Sequence, residues 1–145
     1  MLRSTASLFL LLLLAVVLAA SKPLAQPAQL QIQILSVEKN NGKVVVEIYN
    51  AKADWLKKPF RRVTLAPDDN TKKAVFDVPY GKYAVSIYQD TNENGELGMN
   101  FLQIPKEPIG FGNNYKPFGE PKFESALIDH GPASKPAAIK LYSVF

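Results

Sequence analysis

From Leu30 onward the apolar residues of this chain alternate with polar ones in short runs broken by turn signals, and no run carries a sustained helical period. Alternation of period two is the mark of strands with one buried face. Leu30, Ile32 and Ile34 form the first such strand, interleaved with Gln31 and Gln33. A return strand spans Lys43 to Tyr49, with Val44, Val46 and Ile48 on one side and Val45, Glu47 and Tyr49 on the other. Asn40, Asn41 and Gly42 tolerate positive φ, so these two strands are expected to pair as a hairpin. Phe60 to Ala66 and Lys72 to Val78 are expected to pair about the turn at Pro67, Asp68, Asp69 and Asn70, with Lys72 and Lys73 guarding an edge. Pro79 and Gly81 then introduce a strand that sets Tyr83, Val85 and Ile87 against Ala84, Ser86 and Tyr88. Ser125 to His130 suits a short strand or helical turn, 131–136 a linker, and Ala137 to Phe145 a closing strand. The expectation is an all-β chain: a single antiparallel β-sandwich of about seven strands, immunoglobulin-like in layout, with one long functional loop.

The N-terminus has a different pattern. Arg3 precedes an apolar run from Leu8 to Ala20, shorter than the ~20 residues of a membrane span and bounded by small residues. Residues 1–25 read as a cleaved signal peptide and 26–145 as the β-sandwich domain, secreted or periplasmic, without a membrane span once mature. Loss of Arg3 and Lys22 with the signal takes the 17 basic residues to 15 against 13 acids, and the net charge from +4 to about +2. With neither a basic groove nor an arginine-rich helix, nucleic acid is not an expected partner. Cysteine is absent, so neither a lipid-modified N-terminus nor a disulfide is available, and the core alone must hold the domain.

The stretch from Tyr88 to Phe123 has no regular period yet carries Phe101, Phe111, Tyr115, Phe118 and Phe123. Disordered linkers are poor in aromatics, and a loop of this length in a compact domain is usually functional. It opens with Asp90, Asn92, Asn94, Gly95 and Glu96, oxygen donors on alternate residues around a glycine, the spacing that curls a loop around calcium. Asp90, Asn92, Asn94 and Glu96 are the candidate metal ligands. Position twelve of an EF-hand would be Phe101, so the loop is not one, and Asp90 is the only charged ligand in register. The alternative is a plain turn in which the Asp and Asn side chains accept hydrogen bonds from their own backbone. Further on, Glu107, Phe111, Asn113 and Asn114 are the candidate contacts of a shallow recognition surface for a peptide, glycan or protein.

The run PYGKYAVSIYQDTNENGELG, followed by IPKEPIGFGNN and FGEPKFESA, resembles a bacterial secreted family known as domain of unknown function 2141. The likeness covers nearly the whole of the mature chain. It implies a sandwich of the transthyretin-like and carboxypeptidase-regulatory type, with a core strand beginning near Tyr83 after Pro79-Tyr80-Gly81. Such a family commonly carries an acid at the position held here by Gly98. That departure removes a carboxylate from the implied cation loop.

Three functions are open to such a chain. The first is a non-enzymatic binding module whose 90–114 loop is ordered by calcium. The second is an envelope-associated protein that meets an anionic surface through Trp55, Lys57, Lys58, Arg61 and Arg62; the favoured alternative for this segment is that Trp55 caps the end of the core while the lysines solvate a loop. The third, a small hydrolase, is disfavoured. His130 is the single histidine, Ser125 lies in no nucleophile elbow, and the chain ends LYSVF, unlike the transthyretin-like hydrolases with their several histidines and tyrosine-arginine-glycine-serine terminus. A carboxylate pair such as Asp90 and Glu107 is the remaining route to acid and base chemistry.

Overall fold

The computed structural model describes residues 28–145; the expected signal segment and its cleavage site lie outside the described residues. The strands among the described residues are β1 (Gln29–Leu35), β2 (Lys43–Tyr49), β3 (Arg61–Leu65), β4 (Lys72–Asp77), β5 (Gly81–Asp90), β6 (Ile109–Phe111), β7 (Leu127–His130) and β8 (Ala137–Lys140). They form two sheets, one ordered β4-β1-β8 and the other β3-β2-β5-β6 with β7 beside β5. The fold is the expected all-β sandwich.

Neither expected hairpin forms. β1 pairs with β4 and β8, whereas β2 pairs with β3 and β5, so the chain crosses between sheets at 36–42 and again at 66–71. The reason lies in the outer faces. β1 turns Gln31 and Gln33 away from the core, but β2 buries Val45 and Tyr49 as fully as Val44, Val46 and Ile48. A hairpin would set a wet face beside one that needs cover. Ser36, at φ 60, turns the chain out of β1 so that Val37 drops into the inter-sheet core. The two crossings then bind each other: the Val37 N–H donates to the Asn70 carbonyl at 3.0 Å, and Asn70 Nδ2 returns a bond to the Val37 carbonyl at 3.0 Å.

One pairing breaks the antiparallel rule. β8 runs parallel to β1, with Ile32 opposite Ala137 and Leu35 opposite Lys140. Beyond it, Tyr142 exchanges both backbone hydrogen bonds with Ile109 of β6 at 2.9 Å, so the chain passes from one sheet to the edge of the other.

The core has two parts. Ile32, Ile34, Val46, Ile48, Val85 and Ile139 fill the space between the sheets. Val45, Tyr49, Ala84, Tyr88, Ile109 and Phe111 form a second apolar layer on the outer face of the larger sheet, against which Trp55, Tyr115, Phe123 and Tyr142 pack. Every residue of β5 from Tyr83 to Asp90 is therefore buried. The irregular excursion after β5 covers that outer face through Phe111, Tyr115 and Phe123, whereas its Phe101 and Phe118 stay exposed.

Candidate functional site

β5 ends at Asp90, whose side chain points to the covered face and is 2% exposed. Its Oδ1 accepts the Asn94 N–H at 3.1 Å and its Oδ2 the Gly95 N–H at 2.8 Å. Asn92 Oδ1 accepts the Asn94 N–H at 3.2 Å, and Asn94 Oδ1 the Glu96 N–H at 3.0 Å. These are the hydrogen bonds of the plain-turn alternative: each candidate side-chain ligand except Glu96 already binds a backbone amide. Glu96 itself is exposed. Among the described residues no three His, Cys, Asp or Glu side chains gather in a group that could hold a metal.

Glu107 is 5% exposed and ties down the other side of the same turn. Its Oε1 accepts the Thr91 N–H at 2.8 Å and the Thr91 hydroxyl at 3.1 Å, and its Oε2 accepts the Gly98 N–H at 2.9 Å. Asp90 and Glu107 thus bracket residues 91–98 from within. A Cβ at Gly98 would lie 3.5 Å from Glu107 Oε2, so an acid at this position would bring a second carboxylate to Glu107. Asp90 accepts two hydrogen bonds and Glu107 three, all from the 91–98 turn, so both carboxylates act here as buried acceptors for that turn.

The remaining candidates disperse. Phe111 is 3% exposed in the outer apolar layer, next to Trp55 and Tyr115. Asn113 Nδ2 donates to the Ser125 carbonyl at 3.2 Å and the Leu127 carbonyl at 2.6 Å, clamping the excursion to β7. Asn114 imitates a strand: its Nδ2 donates to the Ala138 carbonyl at 2.9 Å and its Oδ1 accepts the Lys140 N–H at 2.8 Å. Both asparagines hold positive φ, at 59° and 53°, a conformation this residue type tolerates.

Trp55 is turned inward. Its ring meets Tyr49 edge-on at 4.9 Å and Phe123 at 6.0 Å, and its Nε1 donates to the Pro121 carbonyl at 2.9 Å. The core-capping alternative therefore describes it. Arg62 is likewise engaged: Nη2 donates to the Tyr88 hydroxyl at 2.8 Å and the Gly95 carbonyl at 2.9 Å, while Nη1 lies 3.6 Å from Glu47. The Tyr88 hydroxyl also donates to the Gly95 carbonyl at 3.0 Å. Burial raises the Tyr88 phenol, with Arg62 opposing, and burial together with the Glu47 hydrogen bond raises Tyr49.

Gln89 escaped the reading of the sequence. It is fully buried, with Nε2 donating to the Glu38 and Asn41 carbonyls at 2.7 and 2.6 Å and Oε1 accepting the Glu38 N–H at 2.9 Å. A glutamine in the core-facing register of Tyr83, Val85 and Ile87 was the available signal. Asn100 is a second: its Oδ1 accepts the Leu102 and Ile104 N–H groups at 2.9 and 3.0 Å, locking the turn that carries Phe101. His130 is buried against Tyr80 and Tyr83, and its Nε2 has no hydrogen-bond partner among the described residues.

A model of the family described as "Uncharacterized protein conserved in bacteria (DUF2141)" matches residues 32–137. No curated protein and no solved structure matches the chain.

Proposed function

We propose that this chain, which belongs to the bacterial family DUF2141, is a secreted or periplasmic binding module without catalytic activity, and that the tip of its excursion meets a protein partner. One observation carries the reading. Phe101 and Leu102 are 90% and 62% exposed on a turn that is nevertheless fixed. Besides the two Asn100 side-chain bonds, the Asn100 N–H donates to the Ile104 carbonyl at 2.9 Å, and Met99 bridges Pro105. Holding apolar side chains rigid in water is unfavourable, whereas a preformed aromatic anchor lowers the ordering cost of association. Such a convex, apolar tip suits a concave apolar pocket on another protein, where buried aromatics dominate binding energy.

The rest of the 90–114 stretch supports the tip. Asp90 and Glu107 hold its base through backbone amides, so this reading requires no calcium. Equal melting temperatures in millimolar calcium and in chelator are expected; a clear rise with calcium would return the ion to the loop. Secretion rests on Arg3 and the apolar Leu8 to Ala20 segment. A photo-crosslinking amino acid at position 101, expressed in the native host, should yield one discrete adduct that the same group at Lys57 does not. Identical patterns at both positions would refute the tip as the binding surface.

A further inference from the structure

We propose that a cleft at the open edge of the sandwich binds a small amphipathic organic anion, an apolar ring bearing one carboxylate. The cleft lies where β8, β6 and the Asn114–Lys116 segment converge, away from the turn bracketed by Asp90 and Glu107. It encloses about 520 Å³, within the ~300–1,000 Å³ of small-molecule sites. Its wall is apolar and aromatic, made by Leu35, Phe111, Tyr115 and Tyr142, and two lysines, Lys116 and Lys140, stand among the lining residues.

Charge selects the ligand class. No aspartate or glutamate lines the cleft, and neither lysine joins an ion pair among the described residues. The Lys116 ammonium lies over the Tyr142 ring, 4.7 Å from its centroid, so a cation is already held within the cleft against one aromatic face, next to the wall that Leu35, Phe111 and Tyr115 leave for an apolar ligand. An anion brought here meets two lysines outside any ion pair of the described residues and no carboxylate side chain in the lining.

The neutral polar groups select against other ligands. Asn114 spends its amide on the Ala138 carbonyl and the Lys140 N–H, and so closes the free edge of β8. An incoming peptide therefore finds no open ladder to extend. A sugar finds few neutral partners for its hydroxyls, because the two tyrosine hydroxyls are the only uncharged side-chain groups left. What fits is a flat apolar body against the aromatic wall with a single acid toward the lysines.

Titrating the protein with 3-phenylpropionate, 3-phenylpropionamide and acetate, followed by amide and side-chain NMR, tests this. Expected are shifts confined to the cleft residues, with the acid bound at least about tenfold more tightly than either the amide, which lacks the charge, or acetate, which lacks the ring. The exposed double variant K116E/K140E should keep the melting temperature and weaken the acid about tenfold or more. Equal binding of acid and amide, retained affinity in the double variant, or shifts only at the Phe101 tip would each overturn the proposal. Loss of the crosslink at position 101 would leave this result untouched, since the two surfaces share no residue.

Discussion

Glu107→Gln isolates one atom. The carboxylate accepts three hydrogen bonds, two from Thr91 through Oε1 and one from Gly98 through Oε2. A glutamine keeps one oxygen. If that oxygen faces Thr91, the new NH₂ stands against the Gly98 N–H, a donor opposed to a donor at a separation that was 2.9 Å. The loss is one bond to a charged acceptor, about 1.5–3 kcal/mol, with a further ~1 kcal/mol for an amide left without a partner in an enclosed site. A total of about 2.5–4 kcal/mol is large against a domain stability of about 5–15 kcal/mol, yet it should not unfold the protein. Part of it will appear as local opening, because the cover can lift from the sheet while the inter-sheet core stays intact. Urea denaturation should show the midpoint falling at constant slope, and native-state amide exchange should show Thr91 and Gly98 losing protection before β2 and β5. A Glu107→Gln protein within about 0.5 kcal/mol of the parent, with Gly98 still protected, would show that the carboxylate does not hold the turn.

Two further substitutions and one titration probe the same frame. Gly42 holds φ 64, and a Cβ there would meet the Asp90 carbonyl oxygen at 1.9 Å, so Gly42→Ala should cost at least about 2 kcal/mol in the urea melt; a near-neutral result would mean the 36–42 crossing does not touch β5. Phe101→Ser removes an exposed side chain and should leave the midpoint within about 0.5 kcal/mol, whereas a large loss would mean the tip is packed in solution. In alkali, burial holds Tyr49, Tyr83, Tyr88 and Tyr142 above the ordinary phenol range. Their raised folded values add stability that is fully present below the unfolded value of ~10 and is lost as pH climbs beyond it. Tyrosinate absorbance from these four should therefore rise together with loss of circular dichroism; smooth ionisation of a folded protein would contradict it.

The fold class was legible because period two reports which face a residue occupies. It does not report the neighbouring strand. Nothing in Leu30 to Tyr49 taken alone separates a hairpin from a crossing, and the turn residues Asn40 to Gly42 favour the wrong one. The discriminating signal was the asymmetry of faces, Gln31 and Gln33 against Val45 and Tyr49. It carries weight only with the knowledge that something must cover Val45 and Tyr49. That cover is the excursion, which has no period of its own, so its packing could be anticipated from its aromatics but not placed.

The same limit applies to the polar residues. The Asp90, Asn92 and Asn94 spacing is local, and local spacing correctly marked a tight turn. It does not distinguish a cation from a set of backbone amides as what the oxygens face, since both call for side-chain oxygens on alternate residues. Glu107 reaches Thr91 and Gly98 at sequence separations of 16 and 9, and Gln89 reaches Asn41 at 48, distances over which no spacing rule operates. Their roles follow from where β5 ends. It terminates under the cover, so its last side chains must satisfy the loops that arrive there, and the residues with the best functional credentials become struts. The two surfaces proposed above for a ligand or partner, the apolar tip at Phe101 and the lysine-rimmed cleft at Tyr142, are ones the struts do not use. A loss of binding in Asp90→Asn or Glu107→Gln would therefore be ambiguous, because either change releases the tip as well as a charge. Only substitutions that spare stability, at Phe101 for the tip and at Lys116 and Lys140 for the cleft, can assign a contact to a ligand.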